Sequence, residues 1–102
     1  MTRTEQTGEL ADDLELLSNG SLSEDQFRAK YRSQPEDSVA TIIWPYLAHF
    51  LSDADIRTRD EDYRKMQEAE LAKLISLLRA GASDAELCRI HFLGYSGATN
   101  AA

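Results

Sequence analysis

Five carboxylates stand within ten positions of one another in the middle of this chain: Asp53, Asp55, Asp60, Glu61 and Asp62, with Tyr63 adjoining. Such a cluster can hold a cation, form a solvated face, or dock onto a basic partner. As a calcium loop it fails, because the D-x-D-x-D-G spacing and the bidentate glutamate that closes such loops are absent. As a solvated face it is ordinary, with Arg57, Arg59, Arg64 and Lys65 interleaved among the acids. As a docking site it offers irregularly spaced carboxylates to lysines and arginines of a partner, where they stand in for phosphates.

The remaining chemistry-bearing residues are few. His49 and His91 are the only histidines and Cys88 the only cysteine. His49 has only Asp53, and His91 only Cys88, at helical ligand spacing, too few ligands for a metal site and no catalytic set. Cys88 reads as a small packed side chain. Trp44, beside Pro45, reads as a packing residue, with an interface role as the alternative. The five glycines are isolated and form no phosphate loop. No cofactor and no catalysis are expected.

The chain has 102 residues, 18 acidic and 11 basic side chains and a formal net charge of −7. That length suits one domain, 1–102, with a single core and no deep cleft. The charge repels phosphates and argues against nucleic acid as a partner; it suits either a basic protein partner or solubility alone. Residues 1–25 carry seven acids against one base, Arg3, a net of −6, which makes the first helix a second candidate docking surface. A lone cysteine fits a reducing compartment. No apolar run reaches the ~18 residues of a membrane span, and MTRTEQTGEL lacks the apolar core of a signal peptide. A cytoplasmic location is expected.

The elements that must position these groups are helical. Residues 1–7 are polar and expected to fray. Leu10, Leu14 and Leu17 form one stripe of a first helix over 8–18, ended by Asn19-Gly20. Ser23 with Gln26 makes a capping box for a second helix, which carries Phe27 and Tyr31 and stops at Gln34-Pro35. A third helix over 37–52 is the most apolar and should be central, with a kink near Ile42–Pro45 or a break before it. Residues 53–64 hold almost no apolar side chains and read as a loop. A fourth helix over 65–80 carries Leu71, Leu74, Ile75 and Leu78, closed by Gly81. Ser83 with Glu86 caps a last helix over 84–93, ended by Gly94, and 95–102 should be disordered. The fold class is therefore all-α, a compact antiparallel bundle of four to five helices.

The order LLSNGSLSEDQFRAKY, then an apolar helix, then LSDADIRTRDEDYRKMQEAELAKLISLL, resembles the colicin D immunity-like family of bacteriocin and contact-dependent growth inhibition immunity proteins. Leu17-Ser18-Asn19-Gly20 and Phe27 stand where that family has a helix end, a glycine turn and a phenylalanine near the next helix start. Asp53, Asp60, Asp62 and Tyr63, then Glu70-Leu71, stand at its acidic segment and following helix. The resemblance covers about residues 10–80; Pro45 departs from the pattern and 83–102 have no counterpart in it. It implies a helical antidote without cofactor or catalysis that binds a toxin nuclease domain, often a tRNase or other RNase, and blocks its active site. The residues expected to meet that partner are Asp53, Asp55, Asp60, Glu61, Asp62 and Tyr63.

Two competing readings belong to other classes. A small acidic helical adaptor for another protein shares every feature above. A helix-turn-helix regulator could be built from 74–93, but its second helix would offer only Arg89 and His91 against Asp84 and Glu86.

Overall fold

A computed structural model describes residues 2–89. Among these the chain forms six α-helices and no strand: α1 (Arg3–Ser18), α2 (Glu24–Tyr31), α3 (Val39–Ser52), α4 (Ala54–Arg59), α5 (Glu61–Arg79) and α6 (Asp84–Leu87). The all-α bundle is thus the architecture, with one helix more than expected.

Local chemistry sets most of the helix ends. Three capping boxes open α1, α2 and α6, at Thr2 with Glu5, Ser23 with Gln26 and Ser83 with Glu86. Each satisfies N–H groups that the first helical turn leaves without partners. Ser38 caps α3 through a hydrogen bond from the Thr41 N–H at 3.2 Å. The ends of α1 and α5 share one closing geometry. Ser21 N–H donates to Leu16 and Gly20 N–H to Leu17, while Ala82 N–H donates to Leu77 and Gly81 N–H to Leu78. Both turns require a left-handed residue, which glycine supplies at φ +83° for Gly20 and +77° for Gly81.

The frayed start expected at 1–7 is corrected for residues 2–7, Met1 lying outside the described residues. Helix α1 begins at Arg3, held by the Thr2–Glu5 box and by contacts to the far end of the chain. Arg3 donates to the Asp84 carboxylate at 2.6 Å and to the Ala82 carbonyl at 2.7 Å. Gln6 accepts the Val39 N–H at 3.0 Å, which satisfies one open donor at the start of α3.

Helix α3 shares the central place expected of it: α1 packs on α5, α3 and α2, while α3 and α5 each pack on α1, α4 and α6 or on one another's neighbours α1, α4 and α6 alike. The buried α1 stripe of Thr7, Leu10, Ala11 and Leu14 includes small residues, so neighbouring backbones come close. The core joins that stripe to Phe27 from α2, Ile43, Leu47 and Leu51 from α3, Leu71, Leu74 and Leu78 from α5, and Leu87 from α6. Each fully buried leucine of this set contributes about 1.5–3 kcal/mol relative to exposure. Pro45 lies inside an uninterrupted α3, on its exposed side, so no break precedes it. The last helix ends at Leu87 instead of 93, where the Cys88 N–H returns to Asp84 and Glu86 carbonyls. Positions 90–102, including His91, Gly94 and the tail expected to be disordered, lie outside the described residues.

Candidate functional site

The largest departure from expectation falls on the acid cluster. Residues 53–64 are not a loop but the short helix α4 and the first turn of α5. Asp53 joins α3 to α4: its N–H donates to the His49 carbonyl and its own carbonyl receives the Arg57 N–H. Asp60 joins α4 to α5. Its N–H closes α4 on the Ile56 carbonyl, and its carboxylate accepts the Tyr63 N–H at 3.0 Å, capping α5. Glu61 and Asp62 in that first turn complement the helix dipole.

Helix α4 buries no residue fully, so apolar packing alone does not hold it. A polar clasp does. The Arg57 guanidinium lies over the Phe50 ring, 3.9 Å from its centroid. It donates to the Phe50 carbonyl at the end of α3 and to the Gln67 side-chain oxygen at 2.6 Å, and pairs with Glu24 at 3.3 Å. One cation from α4 therefore binds α2, α3 and α5. A cation is favoured beside the open carbonyls of a helix C-terminus, and over an aromatic face. Burial pulls the Arg57 guanidinium below its ordinary value, with Glu24 and then Asp53 opposing that shift.

Gln67 is fully buried and faces two partners, accepting from Arg57 and donating to the Asp53 carboxylate at 3.0 Å. That same Asp53 oxygen accepts the Tyr63 hydroxyl at 2.7 Å. Burial, and then the bond to Asp53, push the Tyr63 hydroxyl up to about 12. Glu24, Arg57, Gln67, Asp53 and Tyr63 thus form one connected network from α2 to α5.

The six expected contact residues thus divide in two. Asp53 and Tyr63 are half-buried and committed to the clasp. Asp55, Asp60, Glu61 and Asp62 are exposed on the corner between α4 and α5. Asp55 pairs with Arg59 at 3.7 Å, and Glu61 with Lys65 at 3.3 Å and Arg64 at 3.8 Å. Such exposed pairs are worth about 0–1 kcal/mol, so an incoming cation displaces them at small cost. Asp62 makes no ion pair among the described residues.

The acids of α1 are bound more tightly by their own chain. Asp13 is buried and accepts the Tyr31 hydroxyl at 2.5 Å and Lys30 at 2.7 Å. Glu9 meets the same Lys30 at 2.8 Å, and Arg79 spans Asp12, at 3.1 Å, and Glu15. Hydrogen bonding to Asp13 and then Glu9 raises the Lys30 ammonium, while burial and then Asp13 raise the Tyr31 hydroxyl. The second candidate surface is therefore largely matched by lysine and arginine of the same molecule.

Sequence reading missed Arg57, Gln67 and Glu24. A signal for Gln67 was present: it occupies the stripe position between Tyr63 and Leu71 on α5, where an apolar residue is the rule. Among the described residues, no group of three His, Cys, Asp or Glu side chains is placed to hold a metal ion, and no helix is long and apolar enough to cross a membrane. His49 is exposed on the last turn of α3. Comparison with protein-family models, with curated proteins and with solved structures finds no match to this chain.

Proposed function

We propose that this chain is an immunity protein of the colicin D immunity-like type, which binds the basic nuclease domain of a toxin and covers its active site. The nuclease is an RNase, of the tRNase kind, delivered by a bacteriocin or a contact-dependent growth inhibition system. The observation that carries the reading is the α4–α5 corner, where Asp55, Asp60, Glu61 and Asp62 stand exposed on backbone fixed from beneath by Arg57. An RNase active site is lined with cations that hold phosphates. Carboxylates held in place meet those cations without the ordering cost of a mobile loop. The docking set narrows accordingly to these four residues, with Asp53 and Tyr63 as their support. No cofactor takes part, and the location this role requires is the cytoplasm, where the toxin acts.

The regulator alternative has less to stand on. The second helix of its turn, Asp84–Leu87, is four residues long and carries Asp84 and Glu86. The adaptor alternative predicts binding without inhibition. The test is co-purification with the product of the adjacent gene, followed by an RNA cleavage assay of the captured partner. The proposal expects a nuclease that stoichiometric immunity protein silences. A captured partner without nuclease activity, or a nuclease that stays active when bound, contradicts it.

A further inference from the structure

With 18 acids for 11 bases, a basic side chain without a carboxylate beside it is the exception in this molecule. Eight of the eleven lie against at least one carboxylate. Of the other three, Arg89 stands at the edge of the described residues, and Arg28 and Arg32 stand together. They are four apart on helical backbone at the end of α2, so they share one face about 5–6 Å apart at Cβ. Neither makes an ion pair or side-chain hydrogen bond among the described residues.

Both arginines line one groove of about 590 Å³ between α2 and α3, with Tyr31, Gln34, Trp44 and Pro45. The Trp44 indole is fixed there, stacked on Phe27 with centroids 6.0 Å apart and planes within 8°. Pro45 brings no N–H, so the Thr41 carbonyl one turn earlier lacks its usual i+4 donor. The groove therefore combines two unmatched cations and a rigid aromatic surface.

We propose that this groove docks a short acidic peptide segment of a protein partner, with two carboxylates on Arg28 and Arg32 and an apolar side chain on Trp44. Arginine and tryptophan are the side chains most often decisive in such contacts. Charge complementarity favours a short anion at this pair of arginines, on a surface of net charge −7 that repels long polyanions such as nucleic acid. A peptide also supplies an apolar side chain for the Trp44 and Pro45 surface, which inorganic phosphate does not. The site is separate from the carboxylate corner and opposite to it in charge, so neither proposal depends on the other.

Trp44 is the only tryptophan, so its emission reports this groove alone. The probe is acetyl-Glu-Leu-Glu-Leu-Glu-amide, titrated into the full chain at low salt, with the Gln-Leu analogue, adenosine monophosphate and inorganic phosphate as parallel arms. The expected result is a saturable emission change with a Kd of about 1 mM or tighter, weakened at least about tenfold by R28Q/R32Q and by about 0.5 M NaCl. The double variant should keep the circular dichroism of the native chain, since both side chains reach solvent. An equal response to the uncharged analogue, to the nucleotide or to phosphate overturns the proposal. So does a flat titration. So does a dimer in sedimentation that R28Q/R32Q abolishes, because a second copy would then be the occupant.

Discussion

Arg57 lies over Phe50 at 3.9 Å from the ring centroid and donates to the carbonyl of that same residue. One side chain thus reads both the ring and the backbone of the last turn of α3. Since α4 buries nothing fully, this contact is a principal tie between the carboxylate corner and the core.

Arg57→Ala should therefore cost about 2–4 kcal/mol, because it leaves the buried Gln67 oxygen and Glu24 without their cation. Arg57→Lys should recover only part of that loss, since an ammonium cannot reproduce the planar fork over the ring. Urea unfolding of the two variants measures both values. A cost below about 0.5 kcal/mol for the alanine variant would place α4 stability elsewhere.

The Tyr63 hydroxyl supplies a pH signature. Its pKa rises from 10.0 unfolded to about 12 folded. A raised value favours the protonated folded state, so its stabilisation is full below pH 10.0 and lost as pH climbs towards about 12. Native stability should fall across that window, and Tyr63→Phe should flatten the fall while lowering stability at neutral pH. Tyr31 and Lys30, also raised, add to the decline in both proteins. Identical slopes for wild type and Tyr63→Phe would contradict the Asp53–Tyr63 bond.

Two neighbouring acids on α1 should behave differently. Asp13→Ala leaves the buried Tyr31 hydroxyl without its acceptor and Lys30 with Glu9 alone, at about 1–3 kcal/mol. Asp12→Ala breaks one exposed pair with Arg79, at about 0–1 kcal/mol. Thermal or urea denaturation separates them. Equal losses would mean that the Asp13 cluster contributes no more than a surface pair.

The bundle was legible because its signals are local and repeated: leucine stripes, two of the three capping boxes, and glycines at both left-handed closures. Two misreadings share one cause. Thr2-Arg3-Thr4-Glu5 is a capping box, and Asp60-Glu61-Asp62 is a helix start, yet neither borders a strong apolar stripe. Without apolar periodicity beside them, 1–7 reads as frayed and 53–64 as loop. The clasp was hidden for a different reason. Glu24, Arg57 and Gln67 meet only through packing of α2, α4 and α5, 33 and 10 positions apart along the chain, and no local pattern encodes that meeting. The acids themselves were visible, but which were structural and which exposed was decided by the fold.

The most direct test of the docking account uses D55K/E61K/D62K, which reverses the exposed corner and spares Asp60, the α5 cap. Stopped-flow association with the toxin nuclease should slow by at least about tenfold at low salt and lose most of its ionic-strength dependence. The variant should keep its helical spectrum while RNA cleavage proceeds in its presence. A variant that associates as fast as wild type, with the same salt dependence and full inhibition, would show that the α4–α5 corner is not the docking surface.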